Sequence, residues 1–259
     1  MRNEKQLSQL GFKYGKNGAH SARSMMIEDL THLLFSRDES ATRADYEDDI
    51  INFNILHKPT EKSRKLTYRH LVDLYALDTQ VLLFAVLRQW WEKHEESQPI
   101  LALQLAVARD PLLRASADII LQLGPGEHLA RETVEAFLAK DDPDRFSAAS
   151  LKSFAQNING TWTQAGYLSG KAKKYREVPK VSYVNVAYAL FLAHCHGLSG
   201  QRLFDSFWCR MLAQDKERLY ELAHRASLRG LIKFKQVSEI IEVTFPEIVM
   251  PPINTSEDE

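Results

Sequence analysis

Apolar residues recur at three- and four-residue steps early in the chain, where Met25, Met26, Leu30, Leu33 and Leu34 form one stripe of an amphipathic helix. Residues 41–56 alternate acidic and apolar positions at the same spacing, with Tyr46, Ile50, Phe53 and Asn54 on neighbouring turns. Pro59-Thr60 predicts the start of a third helix, because proline is tolerated in a first turn where its missing N–H has no partner to lose. Its stripe runs through Leu66, Leu71, Leu74 and Leu77. Residues 81–94, VLLFAVLRQWWEKH, begin apolar on every side and predict a central, buried helix. Pro99 and Pro111 open two further segments, and residues 130–140 form a last helix after the break at Gly124-Pro125-Gly126. Together they predict a bundle over residues 1–145, closed by a boundary or surface loop at Asp141-Asp142-Pro143-Asp144.

The pattern then changes. Ser147 to Asn159 suits a helix, Gly160 interrupts it, and residues 161–168 allow another turn or two before Gly166, Gly170 and a basic run from Lys171 to Arg176. Helix, turn, short helix and basic loop is the order of a winged-helix or helix-turn-helix unit. Residues 184–195 and 201–212 read as strongly apolar helices, and Asp215–Ser227 is amphipathic through Leu219, Leu222, Ala223 and Ala226, with Gly230 as its stop. Residues 231–236 and 240–245, rich in β-branched and aromatic side chains, predict a short hairpin that must pack on a helix, with the Leu222 and Ala226 stripe nearest. The expected fold is mainly α: an N-terminal helical bundle, a winged-helix-like helical region over 146–250 ending in a β-hairpin, and a mobile acidic tail over 251–259.

Composition narrows the functions on offer. The chain has 259 residues, 44% hydrophobic and 26% charged, which is the balance of a globular protein with a sizeable core. Its 33 Lys and Arg against 34 Asp and Glu give a formal net charge of −1, so affinity for nucleic acid or acidic membranes can come only from local asymmetry. The two cysteines, Cys195 and Cys209, are too few and too far apart for a stapled secreted scaffold. The first residues lack the apolar segment of a signal peptide, and the most apolar stretch, Val181–Cys195, is shorter than a membrane span and carries Asn185 and His194. A cytoplasmic protein without a membrane partner is expected.

Catalytic motifs are scarce: the chain has no GxxxxGK[ST], GxGxxG or GxSxG. His194-Cys195-His196 lacks the CxxC or HxxxH spacing of a structural zinc site, since adjacent helical residues point about 100° apart. Cys209 sits beside Phe207 and Trp208 in a core-like segment. The acidic cluster Asp45, Glu47, Asp48 and Asp49 could hold a divalent cation in a nuclease, but no Glu-x-Lys signature lies nearby and a solvated helix face is the better account. No enzyme activity, catalytic residue, metal or cofactor is expected. Basic residues are better organised. Lys58, Lys62, Arg64, Lys65 and Arg69 face only Glu61 between residues 57 and 70, and Thr60, Ser63 and Thr67 add hydroxyls suited to phosphate oxygens. Lys171, Lys173, Lys174, Arg176 and Lys180 face only Glu177, in a glycine-flanked loop where Tyr175 could pack on a sugar or base while Trp162 and Tyr167 anchor the loop to the core.

Residues 54–64, Asn-Ile-Leu-His-Lys-Pro-Thr-Glu-Lys-Ser-Arg, resemble the Asn-Leu-x-Lys-Ser/Thr stretch of the BrxA family of BREX phage-exclusion systems. Residues 151–168, ending Trp162-Thr-Gln-Ala-Gly-Tyr-Leu168, resemble that family's helix closing in an "aGlL" element. The chain is longer than the family pattern, with an added N-terminal arm and C-terminal hairpin. The resemblance implies a mostly helical, non-enzymatic DNA-binding accessory protein that works beside a methyltransferase and an ATPase. Its contacts with double-stranded DNA would come from the backbone-facing residues Lys58, Thr60, Lys62, Ser63, Arg64, Lys65, Arg69, Lys171, Lys173, Lys174 and Arg176. The alternative is a protein-interaction scaffold in which both basic segments are merely solvated or meet acidic partners.

Overall fold

The structure, a computed structural model, describes residues 2–16, 18–140 and 142–251. The expected acidic tail thus lies, from residue 252 on, outside the described residues. The molecule is mainly helical, with two small antiparallel sheets.

In chain order the first helices are α1 (Glu4–Leu10), α2 (Ile27–Phe35), α3 (Arg43–Ile51) and α4 (Glu61–Tyr75), with a single 3₁₀ turn at Ala19–Ser21 before α2. Helix α4 begins two residues later than Pro59: Thr60 is its N-cap, accepting from the Ser63 N–H, while Ser63 Oγ accepts from the Thr60 N–H. That reciprocal closure satisfies backbone donors that would otherwise be orphaned, and proline stays outside the helix. Next come α5 (Leu82–Trp90), α6 (Gln98–Arg109) and α7 (Pro111–Gln122), the last two meeting at Asp110, whose carboxylate accepts from the Leu112 and Leu113 N–H groups.

The centre of the molecule is not α5, as its apolar opening suggests, but α6 together with α10 (Tyr183–Cys195). Every residue of α6 except Pro99 and every residue of α10 except His194 is buried. Alanines at 102, 106 and 108 keep α6 slim enough for neighbours on all sides, and the polar side chains inside donate to backbone carbonyls of neighbouring segments. Gln104 Nε2 donates to the Asn185 carbonyl at 2.9 Å, and Asn185 Nδ2 donates to the Ser97 carbonyl at 2.9 Å.

Around this centre run α8 (Arg131–Ala139), α9 (Ala148–Gln164), α11 (Gln201–Phe204), α12 (Phe207–Arg210) and α13 (Lys216–Leu228). Gly160 does not interrupt α9. Phe154, Ala155, Ile158, Thr161 and Trp162 keep one helical face buried through it, and Ser24 packs over position 160 at ordinary contact distance, its Cβ 3.6 Å from where a Cβ at 160 would sit. The helix ends at Gly166, whose φ of +80° lets the Tyr167 N–H turn back to the Trp162 carbonyl at 2.9 Å.

Two short strands follow this turn and a third, from before α8, joins them: β1 (His128–Leu129), β2 (Leu168–Ser169) and β3 (Lys174–Arg176) pair antiparallel in the order β1-β3-β2, with Leu129 opposite Lys174 and Leu168 opposite Arg176. Strand β1 therefore joins β3 across residue 145, and the hydrophobic core runs through both halves of the chain. The C-terminal hairpin, β4 (Lys233–Val237) with β5 (Ile240–Thr244), forms as expected. Phe234 packs on Tyr220 and His224 of α13, with ring centroids 6.1 and 4.5 Å away, and Phe245 packs on Phe191 of α10 at 5.8 Å.

Candidate functional site

Helix α9 carries no acidic residue along its 17 positions. Its apolar face is sealed against the core, leaving Lys152, Gln156 and Gln164 exposed on the outer face at positions of the four-residue series 152, 156, 160, 164, with Ser153 exposed beside them. The chain leaves α9 through β2, reverses at Gly170 to Lys173 and returns as β3. Gly170 has φ of +86°, and a Cβ there would lie 2.1 Å from the Lys173 carbonyl oxygen, so this tight reversal requires glycine. At its tip Lys171 and Lys173 are exposed, and no side-chain hydrogen bond or ion pair holds either among the described residues. Tyr175 is 39% exposed on the same hairpin, its ring 5.5 Å from that of His128 on β1.

A cleft of about 430 Å³ separates helix from hairpin, lined by Gln156, Asn159 and Gly160 on one side and Lys171 and Lys174 on the other. Asn159 is buried and its Oδ1 has no hydrogen-bond partner. Arg131, at the start of α8, also lines this cleft, but its guanidinium is held by Glu132 and Glu135 of its own helix. The sequence reading did not single out Lys152 and Gln156; their signal was the absence of any carboxylate between 148 and 164.

Two residues of the basic loop are not available as expected. Arg176 is buried beneath the sheet, donating to the carbonyls of Ile120 and Tyr167 and stacking on the Tyr167 ring, and burial pulls its guanidinium below the usual arginine range. Lys174 turns back to donate to the Gly170 carbonyl at 2.6 Å. The anchors behave as anticipated: Trp162 and Tyr167 are fully buried, Trp162 Nε1 donating to Ser116 Oγ and the Tyr167 hydroxyl to the Met211 carbonyl.

The segment around α4 is more thoroughly consumed. Lys58 pairs with Asp29 at 2.8 Å, half-buried, and its backbone is clamped by Asn54, which accepts from the Lys58 N–H and donates to the Lys58 carbonyl. Thr60 and Ser63 spend their hydroxyls on the helix cap, and Thr67 is buried. Arg64 donates to the Ile51 carbonyl at the end of α3, and Lys65 pairs with Glu61 one turn away. Only Lys62 and Arg69 remain exposed without an ion pair among the described residues.

The two segments are nonetheless linked. Arg69 lines a cleft that also takes in Ala22, and Ser24, two residues on, rests against Gly160 of α9. A buried network fixes this linking segment: His20 Nδ1 meets Asp110 Oδ2 at 2.8 Å and His20 Nε2 meets Thr161 Oγ1 of α9 at 2.7 Å, all three residues fully shielded from solvent. Burial alone would raise the Asp110 carboxyl, but the hydrogen bonds and charge of His20 hold it below the usual carboxylate range.

The remaining sequence candidates serve the scaffold. In the acidic cluster, Asp49 is buried in a bidentate pair with Arg37, Asp45 closes the N-cap box of α3, and Asp48 binds Asn52. Among the described residues no group of three or more His, Cys, Asp or Glu is placed to hold a metal ion. Both cysteines are buried and free, and burial pushes the Cys209 thiol up to about 12, out of reach of the reactive thiolate form. No helix among the described residues is long and apolar enough to cross a membrane. No model of a known protein family matches the chain, and a search of curated proteins finds no match either.

Proposed function

We propose that this chain is a non-enzymatic protein that binds double-stranded DNA through a winged helix, composed of α7, β1, α8, α9, β2 and β3 in that order. The observation that carries the reading is the combination of this order with the sheet order β1-β3-β2 and a hairpin whose tip presents two unpaired lysines beside an acid-free helix. An α-helix fits the major groove, about 12 Å wide, and α9 at roughly 1.5 Å per residue is long enough to lie along it. Lys171 and Lys173 then meet the flanking phosphates, and Lys152 and Gln156 face the groove. With one glutamine and no arginine at the centre of that face, recognition rests mainly on the phosphate backbone.

The setting we propose, a cytoplasmic accessory subunit of a phage-exclusion system beside a methyltransferase and an ATPase, follows from the resemblance of residues 54–64 and 151–168 to BrxA. Both stretches have identifiable jobs in the fold. Asn54 clamps the loop that leads into α4, and Trp162 to Leu168 turn the end of α9 into the hairpin.

Fluorescence anisotropy with a labelled duplex of unrelated sequence at low salt tests the reading. Binding at micromolar protein or tighter is expected, weakened in the Lys171→Ala/Lys173→Ala variant. Absence of binding under these conditions would overturn it in favour of a protein-interaction scaffold.

A further inference from the structure

On the linking segment between the two basic regions lies a second cleft of about 430 Å³, formed where the 3₁₀ turn at Ala19–Ser21, α4 and the end of α6 converge. Three cations line it, Lys13, Arg69 and Arg109, against a single carboxylate, Asp73. Asp73 is already engaged, accepting from Lys13 Nζ at 3.3 Å. Arg109 is 8% exposed, and among the described residues no carboxylate lies within ion-pair distance of it. Its two terminal nitrogens donate to the carbonyls of Gly11 and Val72.

Two polar atoms of this wall have no hydrogen-bond partner although both belong to nine-tenths-buried residues: Arg109 Nε and His70 Nδ1. Leaving a buried donor unmade costs free energy, and the Arg109 guanidinium, bonded only to neutral carbonyls, feels the Asp73 carboxylate of the cleft only beyond ion-pair distance. Arg23 adds to the imbalance, being near enough to act on the His70 ring. The cluster thus offers a concentration of donors and positive charge that its own carboxylate does not balance.

We infer that this cleft is a binding site for the phosphoryl group of a small ligand, either inorganic phosphate or a nucleoside monophosphate, held by Arg69, Arg109, Lys13 and His70. The site is separate from the groove-facing surface of α9 and requires no DNA. A tetrahedral dianion offers several acceptor oxygens to donors that converge from three elements, and charge-assisted bonds of this kind are the strong ones. The electrostatics of the wall agree with this geometry. Burial first, then Arg109, lowers the Lys13 ammonium, and burial brings the Arg109 guanidinium down to about 10. An anion reverses that tendency. The volume falls within the range of roughly 300–1,000 Å³ typical of small-ligand pockets, which leaves room for a sugar and base beyond the phosphate.

Thermal unfolding and calorimetric titration of the full chain with sodium phosphate and with adenosine monophosphate, at constant ionic strength against chloride, test this inference. Both probes are expected to raise the melting temperature in proportion to occupancy. Arg69→Gln, at an exposed position with no structural bond, is expected to weaken binding by about tenfold, the loss of one charge-assisted hydrogen bond. His70→Gln gives a second reading from the buried side. Lys233→Ala/Lys235→Ala, which removes two charges from the distant hairpin, leaves phosphate binding as it was. Equal affinity for the two probes identifies free phosphate as the ligand class, and tighter binding of the nucleotide identifies the larger one. If neither probe binds, or if Arg69→Gln and the Lys233/Lys235 variant weaken binding equally, the site does not exist.

Discussion

The two basic segments have the same charge balance, five cations to one carboxylate, and opposite fates. Around α4 most of the cations are taken up by neighbours: Lys58 is drawn in to Asp29 and Arg64 to the end of α3, while Lys65 stays exposed in a surface pair with Glu61 one turn away. On the β2–β3 hairpin the tip points outward, and only Arg176, whose strand neighbours the core, is buried. The difference lies in what surrounds each segment. Helix α4 passes close to the carboxylate of α2 and the carbonyls of α3, which capture long side chains within reach. The hairpin projects from a helix that has no acidic residue at all, and its tip lysines, Lys171 and Lys173, find no partner among the described residues. Charge counted along a sequence therefore measures opportunity; the neighbouring elements decide how much of it reaches solvent.

The largest effect expected bears on the connection between the two regions. His20→Ala strips the imidazole from both Asp110 and Thr161, leaving the buried carboxylate only backbone N–H partners, and should destabilise folding by about 3–5 kcal/mol, as breaking a buried pair usually does. Denaturant melts measure it, and a loss below about 1 kcal/mol would mean that the linking segment is not fixed by this network. Next in size is Gly170→Ala. The forced backbone conformation and the collision with the Lys173 carbonyl should cost about 1–3 kcal/mol and displace the lysine tip, reducing duplex binding while leaving far-ultraviolet circular dichroism unchanged. Undiminished binding would show that the hairpin takes no part.

The smallest effect is one of pH. Burial first, then the charges of Arg23 and Arg69, lowers the His70 imidazole below its ordinary value of 6.5, with Asp73 opposing and His20 adding slightly. A group whose pKa falls on folding binds its proton more readily in the unfolded chain. Its contribution to stability is therefore complete above pH 6.5 and is lost as the pH falls through the lowered value. His70→Gln should flatten the stability profile in that window, measured by melting temperature from pH 7.5 down to 4.5; an unchanged profile would place the acid sensitivity elsewhere.

Much of this architecture was legible in the sequence. The amphipathic stripes gave most of the helices to within a few residues, although α1 has no stripe of its own and the segment 201–212, expected as one helix, is two short ones broken at Asp205 and Ser206; alternation after Gly230 gave the hairpin. The departures share a cause. Gly160 breaks a helix only where nothing compensates, and here a buried face continuing through Trp162 keeps α9 whole. A two-residue strand such as β1 has no periodicity to read; only its pairing with β3 defines it. The removal of Lys58, Arg64 and Arg176 from the candidate surface depends on partners 29, 13 and 56 residues away, a distance over which local spacing carries no information. For the same reason the cleft at Arg109, assembled from four separate stretches of chain, left no trace in any single one.

The salt dependence of duplex binding tests the central claim most directly, because its slope counts the phosphates that cations neutralise. Each contact contributes about −0.9 to the slope of log K against log salt. Changing Lys171 and Lys173 to alanine should reduce the magnitude of the slope by about 1.8, while Lys58→Ala, whose ammonium is spent on Asp29, should leave it where it was. A slope lowered by Lys58→Ala and untouched by the hairpin variant would contradict the account.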